Sequence, residues 1–400
     1  MRISTSAFHN TAIESMLNQQ SVLSVTQNQL ATGKRIQTPA DDPIGAVHVV
    51  ELNRAIAESD QYTRNAGVAT DRLSNEEQSL TDVGALLRRV RELVLQANNG
   101  VSDSTSRSSI ATELKGRAQE LIDIANRRDS NGEYLFAGYA TTTQPFARSG
   151  ASVTYAGDQG SRQLQTGANQ FVTDSHSGFA AFMNVRQGNG TFVVAATPGN
   201  TGSGSIGTSS VLNAANWAAA QPNTYTVTFT APNTYQITDS AATIVGGGAF
   251  TAGNTIGISG AQLAIDGTPA TGDTFTIAPS SKESMFATLD AIVNAVQSAT
   301  DTPQSQAQMN TQMSNALTQL DQDETQLLNL RGDIGARLST LDDSKAAREN
   351  DKIALQSALS DTQDLDYAEA IGRMNRQLLG LQAAQSSYSQ VSRLSLFNYL

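Results

Sequence analysis

The sequence predicts a mainly α fold with an inserted β region: a discontinuous antiparallel helical rod or coiled coil drawn from both chain ends, plus a central β-rich domain. Three observations carry this. Apolar residues recur every seven positions over 73–97 and again over 313–355. The stretch 151–280 holds only seven Asp, Glu, Lys or Arg, no lysine, and eighteen of the 31 glycines. Outside the two periodic stretches, both ends stay amphipathic but carry Gln in their stripes.

The elements follow in order. At the N-terminus Ile13, Met16, Leu23 and Leu30 form a stripe interrupted by Gln20 and Gln27. In "TPADDPIGA" Asp42 can cap free amides and Pro43 suits a first helical turn, which starts the next helix. Along it, Leu73, Leu80, Leu87 and Val94 share one seven-residue register. A third helix is predicted at 107–128 on Ile110, Leu114, Leu121 and Ile124; Asn131-Gly132 then turns the chain into "EYLFAGY", read as a strand. The runs "TFVVAAT", "TYTVTFT", "TYQIT" and "DTFTIAP" alternate with Gly, Asn and Pro turns, as strands do. Met285, Leu289, Ile292 and Val296 mark a short helix ending before Pro303. Met313, Leu320, Leu327, Ile334, Leu341 and Leu355 then share a register broken at Arg348, so a helix over 304–359 would span ~84 Å. The C-terminal segment repeats the N-terminal pattern with Ile371, Met374, Leu378, Leu381 and Tyr388, and ends in Leu394, Leu396, Phe397 and Leu400.

Three domains are expected. Residues 1–42 and 362–400 form terminal helical segments, disordered in the monomer; 43–138 and 281–361 form the helical rod; 139–280 form the outer β-rich domain. A lone helix with one apolar stripe needs a partner, so Leu73, Leu80, Leu87 and Val94 are expected to meet Leu320, Leu327, Ile334 and Leu341 as the rod core. The Gln-diluted ends bury little by themselves, so their apolar residues are expected to face other molecules.

Composition narrows the function. A net charge of −11 repels a phosphate backbone, and the densest basic group, Arg88, Arg89 and Arg91, reads as a solvated or interface helix face; nucleic acid is not an expected partner. Cysteine is absent, which removes thiolate chemistry. The opening "MRISTSAFHNTAIESMLNQQ" has no continuous apolar run, so no cleaved signal is expected, and no stretch approaches a membrane span. "GSGSIG" at 202–207 matches a dinucleotide fingerprint, but no Asp or Glu lies between Asp174 and Asp239 to hold a ribose. His9, His48 and His176 stand far apart in sequence, with His48 expected to pack within the rod. "DSNGEY" reads as a turn and not a calcium loop. No catalytic, cofactor or metal constellation is expected, and the protein is not expected to be an enzyme.

Several strings resemble a known family. "LATGKRIQTPADDPIGA" (30–46) and "LLRRVRELVLQANNG" (86–100) are similar to segments of the flagellin superfamily. "NGEYLFAGYATTTQPF" (131–146), "YAGDQGSRQLQTG" (155–167), "GTPATGDTFTIAPS" (267–280) and the run from Leu365 to Leu400 resemble its hook-associated branch more than filament flagellin. The resemblance implies a structural adaptor at the hook-filament junction, exported unfolded through the flagellar type III apparatus. The implied partners are the hook-proximal junction protein FlgK, flagellin, identical subunits in a ring, and an export chaperone of the FlgN type at the C-terminal segment. It implies too that Ile13, Met16, Leu23, Leu30, Ile371, Met374, Leu378, Leu381, Tyr388, Leu394, Leu396, Phe397 and Leu400 serve subunit or chaperone contacts. A filament flagellin is the alternative. Residues 171–261 match no motif of the family.

Overall fold

A computed structural model describes residues 5–99, 103–221 and 224–393. The chain forms two compact units, Met1–Arg64 with Asp343–Leu400, and Asn65–Asp342. The helices are α1 (Thr5–Thr32), α2 (Pro43–Ala97), α3 (Ser104–Ala125), α4 (Ala214–Ala219), α5 (Met285–Ser298), α6 (Pro303–Gln363) and α7 (Tyr367–Arg393).

In the unit Asn65–Asp342 the periodic stripes meet as their spacing requires. Leu73, Leu80, Leu87 and Val94 of α2 and Leu320, Leu327, Ile334 and Leu341 of α6 are all buried in one continuous apolar cluster, which α3 and α5 complete. Glu77 pairs with Arg331 at 2.7 Å and Arg91 with Asp321, so the two long helices run antiparallel there. Arg89 reaches Glu113 of α3 at 2.9 Å. Of the two readings of the basic group, the interface face fits: Arg89 and Arg91 tie helices together. Asp103 caps α3 by accepting from the Ser106 N–H at 2.7 Å, a contact worth ~1 kcal/mol.

The inserted β region is not one body. The hairpins β1 (Phe146–Ser149) with β2 (Ser152–Tyr155), and β3 (Gln163–Gly167) with β4 (Gln170–Thr173), precede a short π-turn at Phe179–Met183 and β5 (Val185–Arg186). Phe146, Val153, Val172, Phe182 and Val185 from this stretch belong to the helical core. Phe182 packs edge-on against Phe136 and Phe146 with centroids at 5.0 and 5.6 Å. "EYLFAGY" is not a strand: it forms turns after an isolated bridge between Arg128 and Tyr134. Leu135, Phe136 and Ala137 are all buried, so the chain wedges in with no alternating face, and the first strand begins at Phe146.

A separate core lies further on. β6 (Phe192–Ala196), β8 (Tyr225–Ala231), β9 (Thr234–Thr238), β10 (Ile244–Ala249) and β13 (Thr274–Pro279) form an antiparallel sheet of order β10-β9-β8-β13-β6. β7 (Ser205–Val211), β11 (Thr255–Ile258) and β12 (Ala261–Asp266) form a second, and β14 (Lys282–Glu283) returns to pair with β5. Phe192, Trp217, Phe229, Leu263 and Phe275 fill the space between them. This core is fastened to α6: the Ile206 N–H donates to Thr311 Oγ1 at 2.9 Å and Asn315 Nδ2 to Val194 O at 2.8 Å. In the "GSGSIG" loop the N–H groups of Thr201 and Gly202 already donate to Asp273 at 2.8 and 3.1 Å.

Two buried polar sets join the insertion to the helices. Arg72 of α2, in the core, pairs with Asp129 at 2.7 Å and Glu133 at 3.0 Å, and lies 3.6 Å from Asp174. Next to it His176 is held between Glu76 of α2 at 2.8 Å and Asp333 of α6 at 2.9 Å, while Arg337 pairs with Asp333 at 2.6 Å. Burial opposes the charge on His176, but these carboxylates outweigh it and raise its pKa. Its contribution to stability is therefore full below about 6.5 and lost as pH rises through the raised folded value. Asp323 of α6 is buried too, and burial pushes its carboxyl from 3.8 up to about 7.

Two predictions follow from these cores. Leu327→Ala should cost about 2–5 kcal/mol in chemical unfolding, whereas its exposed neighbour Leu328→Ala should stay within about 0.5 kcal/mol. The folded state holds an extra proton on Asp323, so stability falls as pH rises from the ordinary carboxylate range through about 7. Unfolding of Asp323→Asn at pH 5 and pH 8 should show a smaller loss than the parent chain across that interval; an identical loss would contradict the assignment.

Candidate assembly interface

In the unit formed by both chain ends, α1 and α7 lie side by side. The Leu365 N–H donates to Gly33 O at 2.9 Å at one end of the pair. At the other, His9 meets the Tyr388 ring edge-on at 5.5 Å, so the helices are antiparallel over their full matched length. The geometry of the joint comes from "TGKRIQTPADDPIGA". The Arg35 N–H donates to Gln363 O at 2.7 Å, and its guanidinium to Thr362 O at 2.7 Å and Asp42 at 3.3 Å. Asp42 Oδ1 accepts from the Gly45 N–H at 2.9 Å, the cap expected ahead of Pro43. Backbone N–H bonds, from Thr38 and Gln37 to Asp41 and from Gly45 to Asp42, hold both carboxyls below the usual carboxylate range. On the next turn of the chain Asp366 caps α7 through the N–H groups of Ala368 and Glu369. Lys352 of α6 pairs with Asp60 of α2 at 2.6 Å.

The core of this unit is thin. Among the described residues its buried side chains are Leu23, Thr26, Ile36, Val49, Arg348, Leu365 and Ala370. Arg348 occupies the position where the seven-residue register breaks. Meanwhile large apolar side chains stand in solvent: Leu17, Val22 and Val25 on α1, Ile44, Val47 and Val50 on α2, and Leu379 on α7. Ile44 at 74% and Val50 at 68% exposure bracket Val47 on one face at spacings of three. Apolar area of this kind on so slight a core marks a surface built to be covered.

The residues singled out for contacts fall into four groups. Ile13 and Ile371 are exposed, and Met16, Leu30, Met374, Leu378, Leu381 and Tyr388 are half-buried. Leu23 is only 7% exposed: the strongest part of the α1 stripe is turned onto its own chain, because α7 is there to meet it. Leu394, Leu396, Phe397 and Leu400 lie outside the described residues. The exposed positions Leu17, Val22, Ile44, Val47 and Val50 were not among those singled out, since they sit beside the seven-residue register and not in it. His48, expected to pack, stands in solvent 3.6 Å from Glu51.

Two chain ends paired as helices, with a β region carried between them and apolar faces left uncovered, define an assembly subunit. The comparisons give its kind. Residues 3–141 match the bacterial flagellin N-terminal helical region and 317–400 the bacterial flagellin C-terminal helical region. The chain is 34% identical over 185 residues to flagellar hook-associated protein 3 of Escherichia coli K12, a match covering 46% of this chain and 58% of that one. The matched stretch thus spans little more than half the length of that curated relative. The crystal structure of Xanthomonas campestris FlgL is 32% identical, with a TM-score of 0.72, over 77% of this chain and 99% of that one. The flagellar junction protein FlgL of Legionella pneumophila, 27% identical, gives 0.71 over 80% of this chain and 100% of that one. The chain belongs to the FlgL family of the flagellin superfamily.

The joint yields a prediction. Gly33 has φ +69°, and a Cβ there would stand 2.7 Å from the Tyr367 hydroxyl. Gly33→Ala should cost about 1–2 kcal/mol locally and speed tryptic cleavage after Lys34 and Arg35 by about tenfold. Gly67→Ala, a helical position with open space around it, should leave cleavage unchanged.

Proposed function

We propose that this protein is a structural adaptor at the junction between flagellar hook and filament, and that its role is assembly, with no catalytic step. The observation that carries the reading is the uncovered apolar surface of α1, α2 and α7 on a unit with few buried side chains of its own. Such a unit gains most of its stability when neighbours cover it, so folding of the ends and assembly become one event. A head-to-tail contact between identical copies generates a ring or open lattice in which each subunit presents the next surface. The likeness to FlgL chains favours the adaptor over filament flagellin.

In this reading the neighbours are FlgK on the hook side, flagellin on the filament side and identical subunits around the ring. An export chaperone of the FlgN type covers the C-terminal segment before the chain leaves the cell through the flagellar type III apparatus. The polar, Thr- and Gly-rich β region suits contact with water, and the uncovered helical faces suit contact with other subunits.

Electron microscopy of the purified chain incubated with short filament seeds under salting-out conditions tests the choice. An adaptor gives no elongation, or a short terminal cap. Long filaments would identify a flagellin instead.

A further inference from the structure

A cavity of about 370 Å³ lies between α5, α6 and the β5–β14 pair, within the unit Asn65–Asp342. Its size falls in the range of small-molecule sites. One wall is aliphatic, made by Val193, Ile292 and Ala295; the other carries the side-chain amides of Gln187, Asn315 and Gln319. Glu283 is the one charged side chain among the described lining residues, and Gln187 Nε2 donates to it at 2.8 Å. In the β5–β14 register Arg186 pairs with Lys282 and Val185 with Glu283, so strand alternation sends both cations to the face opposite Glu283. Lys282 Nζ indeed bonds Asn184 O at 3.1 Å.

One further feature makes the cavity negative. The last turn of α5 reaches it at Ser298 and holds no basic residue to offset the negative end of the helix. Among the described lining residues no fixed cation answers it or Glu283. An anion would find no partner here. A neutral alcohol would leave Glu283 uncompensated.

We propose that this cavity binds a short aliphatic primary amine, its ammonium on Glu283 and its methylenes on Val193, Ile292 and Ala295. An ammonium supplies the positive charge that the described lining lacks. The site is independent of the exposed helical faces that serve assembly.

The test uses the full chain and 1,4-diaminobutane as probe, followed by calorimetry and by the side-chain amide resonances of Gln187, Asn315 and Gln319. Saturable binding is expected, with shifts at those amides, and none from 1,4-butanediol or succinate. Glu283→Gln should weaken binding at least about tenfold. Ala291→Phe, at the exposed rim, should close the mouth and abolish binding with the circular dichroism unchanged. Absence of saturable binding, equal binding of the diol, or binding that survives both substitutions would overturn the proposal. So would an equal loss in Glu349→Gln, an exposed acid elsewhere, because that would mean general attraction to a chain of net charge −11.

Discussion

The architecture depends on one constraint: α2 and α6 each carry a single apolar stripe, and neither stripe can be left in water. They come from opposite ends of the sequence, so burying them forces the ends together and leaves everything between as an insertion. In the unit Asn65–Asp342 the stripes close on each other with α3 and α5, and a full core results. The ion pairs Glu77–Arg331 and Arg91–Asp321 set the direction of the pairing more than its strength, being half-exposed. The insertion is held where it meets this frame by charge as well as packing. Arg72 and Glu76, buried in α2, need Asp129 after α3 and Asp174 and His176 in the first part of the insertion to be satisfied. Removing a single member of such a set leaves an uncompensated buried charge, which costs about 3–5 kcal/mol.

The unit made from the chain ends follows a different economy. Its helices are long, yet among the described residues its buried side chains are few, and several large apolar groups face outward. The short segment 33–45 carries most of its specific bonding, with Arg35, Asp41 and Asp42 fixing the turn and Gly33 and Gly45 allowing close approach to Tyr367 and Ile36. Under the proposed function, precise joints and a thin core suit a part that forms the same surface each time and gains stability when covered. The full core of the other unit does not need neighbours, which separates folding from assembly along one chain.

Much of this was legible in the sequence because the signals are local or strictly periodic. The seven-residue registers placed Leu73 through Val94 and Leu320 through Leu341, and the turn-bounded β-branched runs placed β6, β8, β9 and β13 within a residue or two. "EYLFAGY" misled because its aromatic content reads as strand, whereas consecutive burial of Leu135, Phe136 and Ala137 needs a wedge without alternation. Arg72 and Glu76 were invisible because an i,i+4 Arg–Glu pair on a helix looks like a solvated pair; their partners lie 57 to 102 residues away in sequence, where no local pattern can point. At the candidate interface the register marked Leu23, which its own chain covers, and passed over Ile44, Val47 and Val50, whose exposure depends on which faces α1, α6 and α7 leave free.

The central claim is that the chain ends are incompletely stabilised until other subunits cover them. Hydrogen exchange read by mass spectrometry, on the free chain and on the chain capped onto filament seeds, tests it most directly. The account predicts rapid exchange across residues 9–31 and 367–390 in the free chain, slow exchange across 73–94 and 320–341, and protection of the first two only after capping. Equal, strong protection of all four segments in the free chain would contradict it, because the ends would then be complete without a partner.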